Sequence, residues 1–373
     1  MHTPETSRLF TPYRHPVTGV VSHVLTHRQA PVQRPFYFTN PSYTRDGRYL
    51  WIECAFPPQG GYDAVPVSAV IDFATDELRV YHETQWTGRP TVDLDTGELY
   101  WVNGLDVWKR GPRADEVASK VSSFPKELAR GGKPSRVVTH LTFSSDGKAL
   151  SMDAWVGADS FIGSFPLDGS QPVVWEQVRG TFDHAQFSPT EPDVLLLADE
   201  YWQNPEHGPF NPQALYHRMY TIRRGGRVTP VLPAPITHSG HEWWDADGRH
   251  VWYVHYGVGI KRVDLATQQE ALVWPGHLAH GQSDQSSRYL VADSMGDPTV
   301  CDCRVDFFDV VTQKAVQLVD HPPLAAGLTQ CRHLHPHPHF CHHDRYVCYS
   351  TTVHGRVDVA LTPTVQLREA TAG

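Results

Sequence analysis

A seven-bladed β-propeller, an all-β fold, is what this sequence predicts. Three observations predict it: a turn phrase that recurs seven times, Gly and Pro spread evenly along the chain, and almost no helical periodicity. The phrase runs apolar residue, short polar turn centred on Asp-Gly, apolar run. Each copy reads as strand, tight turn, strand, and the Asp-Gly pairs are strong hairpin signals.

Taken in order, the copies are SYTRDGRYLWI (42–52), VDLDTGELYWV (92–102), LTFSSDGKALSM (141–152) and EWWDADGRHVWYV (242–254), with looser copies lacking the Asp-Gly pair at AQFSPTEPDVLLLA (185–198), GQSDQSSRYLVA (281–292) and HFCHHDRYVCYS (339–350). Further alternating strands follow, such as SFIGSFPL, GIKRVDLA and VDFFDVV. Units of about four strands bury their faces against neighbouring units in a propeller. A solenoid is the alternative, and it calls for more uniform repeats and capping units. The blades are expected at 36–81, 89–124, 138–175, 182–232, 238–274, 277–320 and 331–364, in one domain spanning 1–373. Two stretches break the rhythm. Residues 109–136 read as a charged connector between the second and third blades. Residues 203–213 (QNPEHGPFNPQ) read as a Pro-rich loop placed to act as a lid.

Composition narrows the function classes. The formal charge is −9 with no long basic run, which argues against nucleic acid. A bound anion must therefore meet locally placed cations. No apolar run is long enough to cross a membrane, and the N-terminus lacks the apolar core of a signal peptide. The cytoplasm is the expected location, or the periplasm or exterior if a leader was removed. Cys54, Cys301, Cys303, Cys331, Cys341 and Cys348 show no disulfide framework and read as reduced, mostly buried thiols. Cys301-Asp-Cys303 reads as ordinary strand sequence rather than a metal element.

Histidine stands out, at 23 copies. Aligned on the apolar residue before each turn (Tyr43, Phe143, Phe187, Trp244, Ser283, Phe340), the repeats carry Asn40, His140, His184, His241, His280 and His337 three residues earlier, and the second blade has Pro90. Equivalent positions of a propeller converge on one end of the channel. The plain alternative is that these side chains merely hydrogen-bond adjacent blades. Burying so many imidazoles together without a ligand is costly, which favours a functional ring. In an extended strand, His333, His335, His337 and His339 would share one side.

His335-Pro-His337 can present two nitrogens, with His280 as third metal ligand and Gln330, His333 or water completing the shell. An all-N/O set suits Mn²⁺, Zn²⁺ or Ni²⁺. Arg218 follows the Pro-rich loop and Tyr201 closes the preceding strand. An Arg there can clamp a carboxylate, and a nearby Tyr or His can act as base if the cation lowers its pKa.

At HAQFSPTEPD (184–193), GHEWWDADG (240–248) and HPHPHF (335–340) the chain resembles oligogalacturonate lyases and ulvan-lyase-type propellers, from about residue 36 to 360. The resemblance implies cleavage of 4-linked uronic acids by β-elimination, giving a 4,5-unsaturated uronate. In the first group a metal held by three His and a Gln neutralises the carboxylate. His241 then resembles the base, Arg218 the accompanying arginine, and His280, His335 and His337 the metal histidines. The local residue Arg332 departs from the Gln, and Gln330 lies off register. In the second group a Tyr is base and acid; Tyr201 resembles it, with His140 neutralising the carboxylate. The second neutralising His of that scheme is missing, Ser160 and Phe161 standing there.

The expectation is a uronate lyase with His241, Tyr201, Arg218, His140 and His184 in its catalytic mouth. His280, His335, His337 and Gln330 would hold Mn²⁺ or Zn²⁺. Its partner is an acidic oligosaccharide or polysaccharide, oligogalacturonate-like first and glucuronate- or iduronate-containing next. A sugar- or partner-binding propeller without catalysis and a metal-dependent hydrolase are the rival classes.

Overall fold

The recurring phrase is a hairpin in every blade of the computed structural model, which describes residues 1–56, 66–129, 134–203, 210–295, 303–320 and 335–373. Tyr43 pairs with Leu50, Val92 with Leu99, Phe143 with Leu150 and Phe187 with Leu195. Trp244 pairs with Val251, Ser283 with Leu290 and Phe340 with Val347. The same residue of each repeat thus sits on the same rung of its sheet. Gly47, Gly147 and Gly248 take φ of 74°, 69° and 65° at the turns, a region glycine enters without a Cβ clash.

The sheets form a seven-bladed β-propeller. Alternation along a strand explains how it holds together, because each blade is buried on both faces. Leu195 and Leu197 pack against Ile162 of blade three, while Leu196 between them packs against Val251 and Tyr253 of blade five. Trp252 and Val254 turn the other way, onto Leu290 and Ala292 of blade six. Val291 meets Val347 and Tyr349 of blade seven, and Tyr346 and Cys348 meet Leu50 and Ile52 of blade one.

Ring closure is where the structure adds most to the expected blades. Strands Phe10–Arg14 and Val21–Leu25, upstream of the first expected blade, extend the last sheet through Asp358–Pro363, giving it five strands. The start of the chain is thereby hydrogen-bonded to its end, and the closing sheet keeps its inner hairpin of His339–Cys341 and Tyr346–Thr351. Part of the expected connector is also sheet: Ser119–Ser123 pairs with Asp106–Arg110 as the outer strand of blade two, before a 3₁₀ turn at Lys126–Ala129. One α-helix, Thr364–Thr371, is found among the described residues, and no helix there is long and apolar enough to cross a membrane. Cys54, Cys341 and Cys348 are buried free thiols and Cys303 is buried; Cys301, Cys331, Gln330, Arg332 and His333 lie outside the described residues.

Candidate active site

The rung equivalence brings the aligned residues to one end of the channel. Tyr37 touches both extremes of the series: its ring centroid lies 5.3 Å from that of His140 and 5.0 Å from that of His337. It also meets His184 at 6.0 Å. Phe38 meets His280 at 5.9 Å and His241 at 6.0 Å. These two aromatic rings, from the segment before the first hairpin, fill the centre of the ring. Asn40 is turned to structure instead, donating to the carbonyls of Pro90 and Leu141 at 2.8 Å each.

Register also corrects the second blade. Val92 occupies the rung of Tyr43, so the residue three before it is Arg89, not Pro90. A bulge between Gly88 and Thr91 lies at this point, and Arg89 bridges to His140. The guanidinium lies 5.0 Å over the Tyr37 ring.

Bulges likewise aim His184 and His241. The register shifts between Asp183 and Gln186 and between Gly240 and Trp243. The two histidines adopt φ of 53° and 51°, and His337 adopts 47°. Left-handed backbone at a non-glycine residue costs about 1–3 kcal/mol and is concentrated at functional sites. It also means that the 335–339 segment is not uniformly extended. His339 is consequently not a member of the ring: it pairs with Cys348 within blade seven, and its Nδ1 lies 3.0 Å from the His337 carbonyl.

His280, His335 and His337 bring donor atoms within 4.8 Å of one another. Asp293, which the sequence reading missed, organises them. Its Oδ1 accepts the His280 backbone N–H at 2.8 Å, its Oδ2 faces His280 Nδ1 at 2.9 Å and accepts the His337 N–H at 3.2 Å. The His280 Nδ1–H is thus occupied, leaving Nε2 with its lone pair, as in a metal-binding histidine whose other ring N–H is held by a carboxylate. Burial lowers His280 to about 3 and holds His337 well below the ordinary range, so both imidazoles are neutral as ligands must be. This donor set fits a divalent ion. Two other groups are equally close, Asp183–His184–Glu200 and Asp245–Asp247–His250. In both, arginine already neutralises carboxylates: Arg136 and Arg218 in the first, Arg262 in the second.

His241 lies against this group, its ring 3.9 Å from that of His280. Burial, then His280, keeps it neutral. Its Nδ1 hydrogen-bonds the Ala279 carbonyl and lies 2.8 Å from the Tyr256 hydroxyl. Nδ1 therefore carries the proton and Nε2 the lone pair. Tyr256, in the turn after Val254, is a second residue the sequence reading missed.

Arg218 is 3% exposed and engaged by two glutamates, Glu200 at 2.8 Å and Glu242 at 3.2 Å. Burial pushes Glu242 up, but Arg218 and His184 outweigh it and hold the carboxyl well below its usual range. Burial lowers His184, yet Asp183, Glu242 and Glu200 raise it to about 8. The expected clamp is thus already occupied by protein carboxylates. Tyr201 packs against Tyr216, ring centroids 3.7 Å apart and planes tilted by 40°, and donates to the Asn211 carbonyl at 3.1 Å. Burial raises its pKa despite Arg218, so the lowering a tyrosine base requires is not present. His140 is fully buried behind Tyr37 and His184, with neither ring nitrogen hydrogen-bonded.

No protein-family model matches the chain, and no curated protein matches its sequence. Solved structures do match. An oligogalacturonate lyase in complex with manganese has a TM-score of 0.76 at 18% identity, with 100% of both chains covered. An oligogalacturonate lyase from Vibrio parahaemolyticus also has 0.76, at 16% identity, covering 95% of this chain and 96% of that one. The likeness read from the His-bearing phrases is therefore matched in the fold.

Proposed function

We propose that this chain is a lyase that cleaves 4-linked uronic acid glycans by β-elimination, with short oligogalacturonates as first substrate. One observation carries the reading: a neutral, oriented His241 stands ring to ring with His280 of a three-histidine donor set. The names of the two structural neighbours support it.

His280, His335 and His337 would hold a divalent ion, manganese or zinc, which when bound neutralises the uronate carboxylate and so acidifies the C5 proton. Asp293 keeps two of those residues in place. His241 Nε2 takes the C5 proton, while its Nδ1–H remains on the Ala279 carbonyl and Tyr256 fixes the ring plane. Electrons of the C5–H bond form the C4–C5 double bond, and the C4 oxygen departs with its glycan and the electron pair of the broken bond, becoming a hydroxyl by taking a proton from solvent water. Tyr37 and Phe38 exclude water from one side of the ring, which strengthens each electrostatic contact. Arg218 acts through Glu200 and Glu242 and is a positioning residue. Tyr201 supports the wall beside it.

The test is a panel of uronate glycans with manganese-loaded protein, read by the ultraviolet absorbance of the new double bond conjugated to the carboxylate. Oligogalacturonates should give the rising signal. Chain cleavage without it indicates a hydrolase, and binding without cleavage indicates a non-catalytic propeller.

A further inference from the structure

A chain of net charge −9 needs local cations to hold an acidic sugar. The sequence offers Arg218, which lies behind the mouth with its side chain 2% exposed and two buried glutamates against it. Arg89 differs on each count. It occupies the ring position of blade two, on the same rung as the five aligned histidines. Its side chain is 26% exposed, and its carboxylate neighbour, Glu53, is 3.5 Å away. Glu53 is itself held by Arg34 Nε at 2.5 Å. The Arg89 guanidinium therefore keeps donors available that Arg218 does not.

The backbone around Arg89 is fixed, its N–H on the Thr139 carbonyl at 2.9 Å and its carbonyl on the Leu141 N–H at 3.0 Å. Tyr37 supports the guanidinium from one face. Stacking of that kind sets the plane of the fork and leaves its N–H edge for two parallel bonds to a carboxylate. The same Tyr37 ring touches His337, so one aromatic ring contacts both Arg89 and the three-histidine group that His241 lies against.

We infer that Arg89 is the anion-binding residue of this mouth and receives the carboxylate of a uronate adjoining the one that is cleaved. The inference rests on the lyase reading above and adds the substrate requirement that two neighbouring residues be acidic. It also gives Arg89 a specificity role distinct from the base and the histidine set.

Calorimetry with trigalacturonate on manganese-loaded His241→Asn protein reads affinity with turnover blocked. Adding Arg89→Ala should weaken binding by about 10–100-fold, the range for hydrogen bonds to charged groups. Arg89→Lys should recover only part of the loss, because an ammonium lacks the fork. Trigalacturonate methyl-esterified only on the residue adjoining the cleaved one should bind the parent as weakly as the acid binds the Arg89→Ala protein. If Arg89→Ala does not fold, Arg89→Met keeps the stem over Tyr37 and asks the same question. In an otherwise native background the loss should appear in KM with kcat nearly unchanged. Equal binding with and without Arg89, by a protein that cleaves oligogalacturonate, overturns the inference alone. A protein that neither binds nor cleaves any uronate oligomer overturns the lyase reading, and this inference with it.

Discussion

Asp293 and His280 form a doubly bonded pair: one carboxylate holds both the backbone N–H and the Nδ1 of the same histidine, at 2.8 and 2.9 Å. The pair is fully buried, and burial lifts Asp293 only to about 6, so it is ionised at neutral pH. Asp293→Asn should therefore reduce manganese affinity by about 10–100-fold, the usual cost of losing such a partner. A metal-binding titration of wild type and variant measures it. Equal affinities would show that His280 needs no such orientation.

The two candidate bases separate by substitution. His241→Asn removes the lone pair at Nε2 and should lower kcat by about 10²–10⁴-fold, as loss of a general base does. Tyr201→Phe removes a hydroxyl bonded to the Asn211 carbonyl and should leave most of the rate. Steady-state kinetics on the identified substrate decides; a dead Tyr201→Phe beside an active His241→Asn would restore the tyrosine scheme.

Arg218→Ala leaves Glu200 and Glu242 buried beside each other without their shared cation. Denaturant titration should show a loss of about 3–5 kcal/mol, as when one partner of a buried pair is removed. A variant as stable as wild type but slower by about 10²–10³-fold would return Arg218 to the chemistry itself.

His184 ties stability to pH. Its folded pKa of about 8 stands above the ordinary 6.5, so the stabilisation is fully present below pH 6.5 and is lost as pH rises through 8. The amount is about 2 kcal/mol. Thermal melts of metal-stripped protein should show Tm falling across that window, and His184→Gln should flatten the fall. A wild-type Tm that rises with pH there would contradict the assignment.

Much of this was legible in the sequence because it is local. Asp-Gly turns and alternating strands mark the hairpins, and their common rung makes a three-residue offset meaningful from blade to blade. Arg89 was missed by one residue, since no structure showed that Val92 holds the rung of Tyr43. Asp293 had a signal: Glu53, Asp153 and Asp293 occupy equivalent places in apolar second strands, where a buried acid needs a partner. Glu200, Glu242 and Tyr256 had no comparable mark, because their partners come from other strands and a turn. Closure through Val21–Leu25, which pairs with Asp358–Pro363, is the most distant strand pairing among the described residues and carries no local pattern.

The most direct test of the central claim is the fate of solvent oxygen during cleavage. Oligogalacturonate digested in heavy-oxygen water by manganese-loaded protein should give unsaturated fragments that gain no more heavy oxygen, by mass spectrometry, than uncleaved oligomers exchange at their reducing ends, since elimination adds no water across the broken bond. Heavy oxygen at the new chain ends, with saturated products, would contradict β-elimination and make the three-histidine mouth that of a hydrolase.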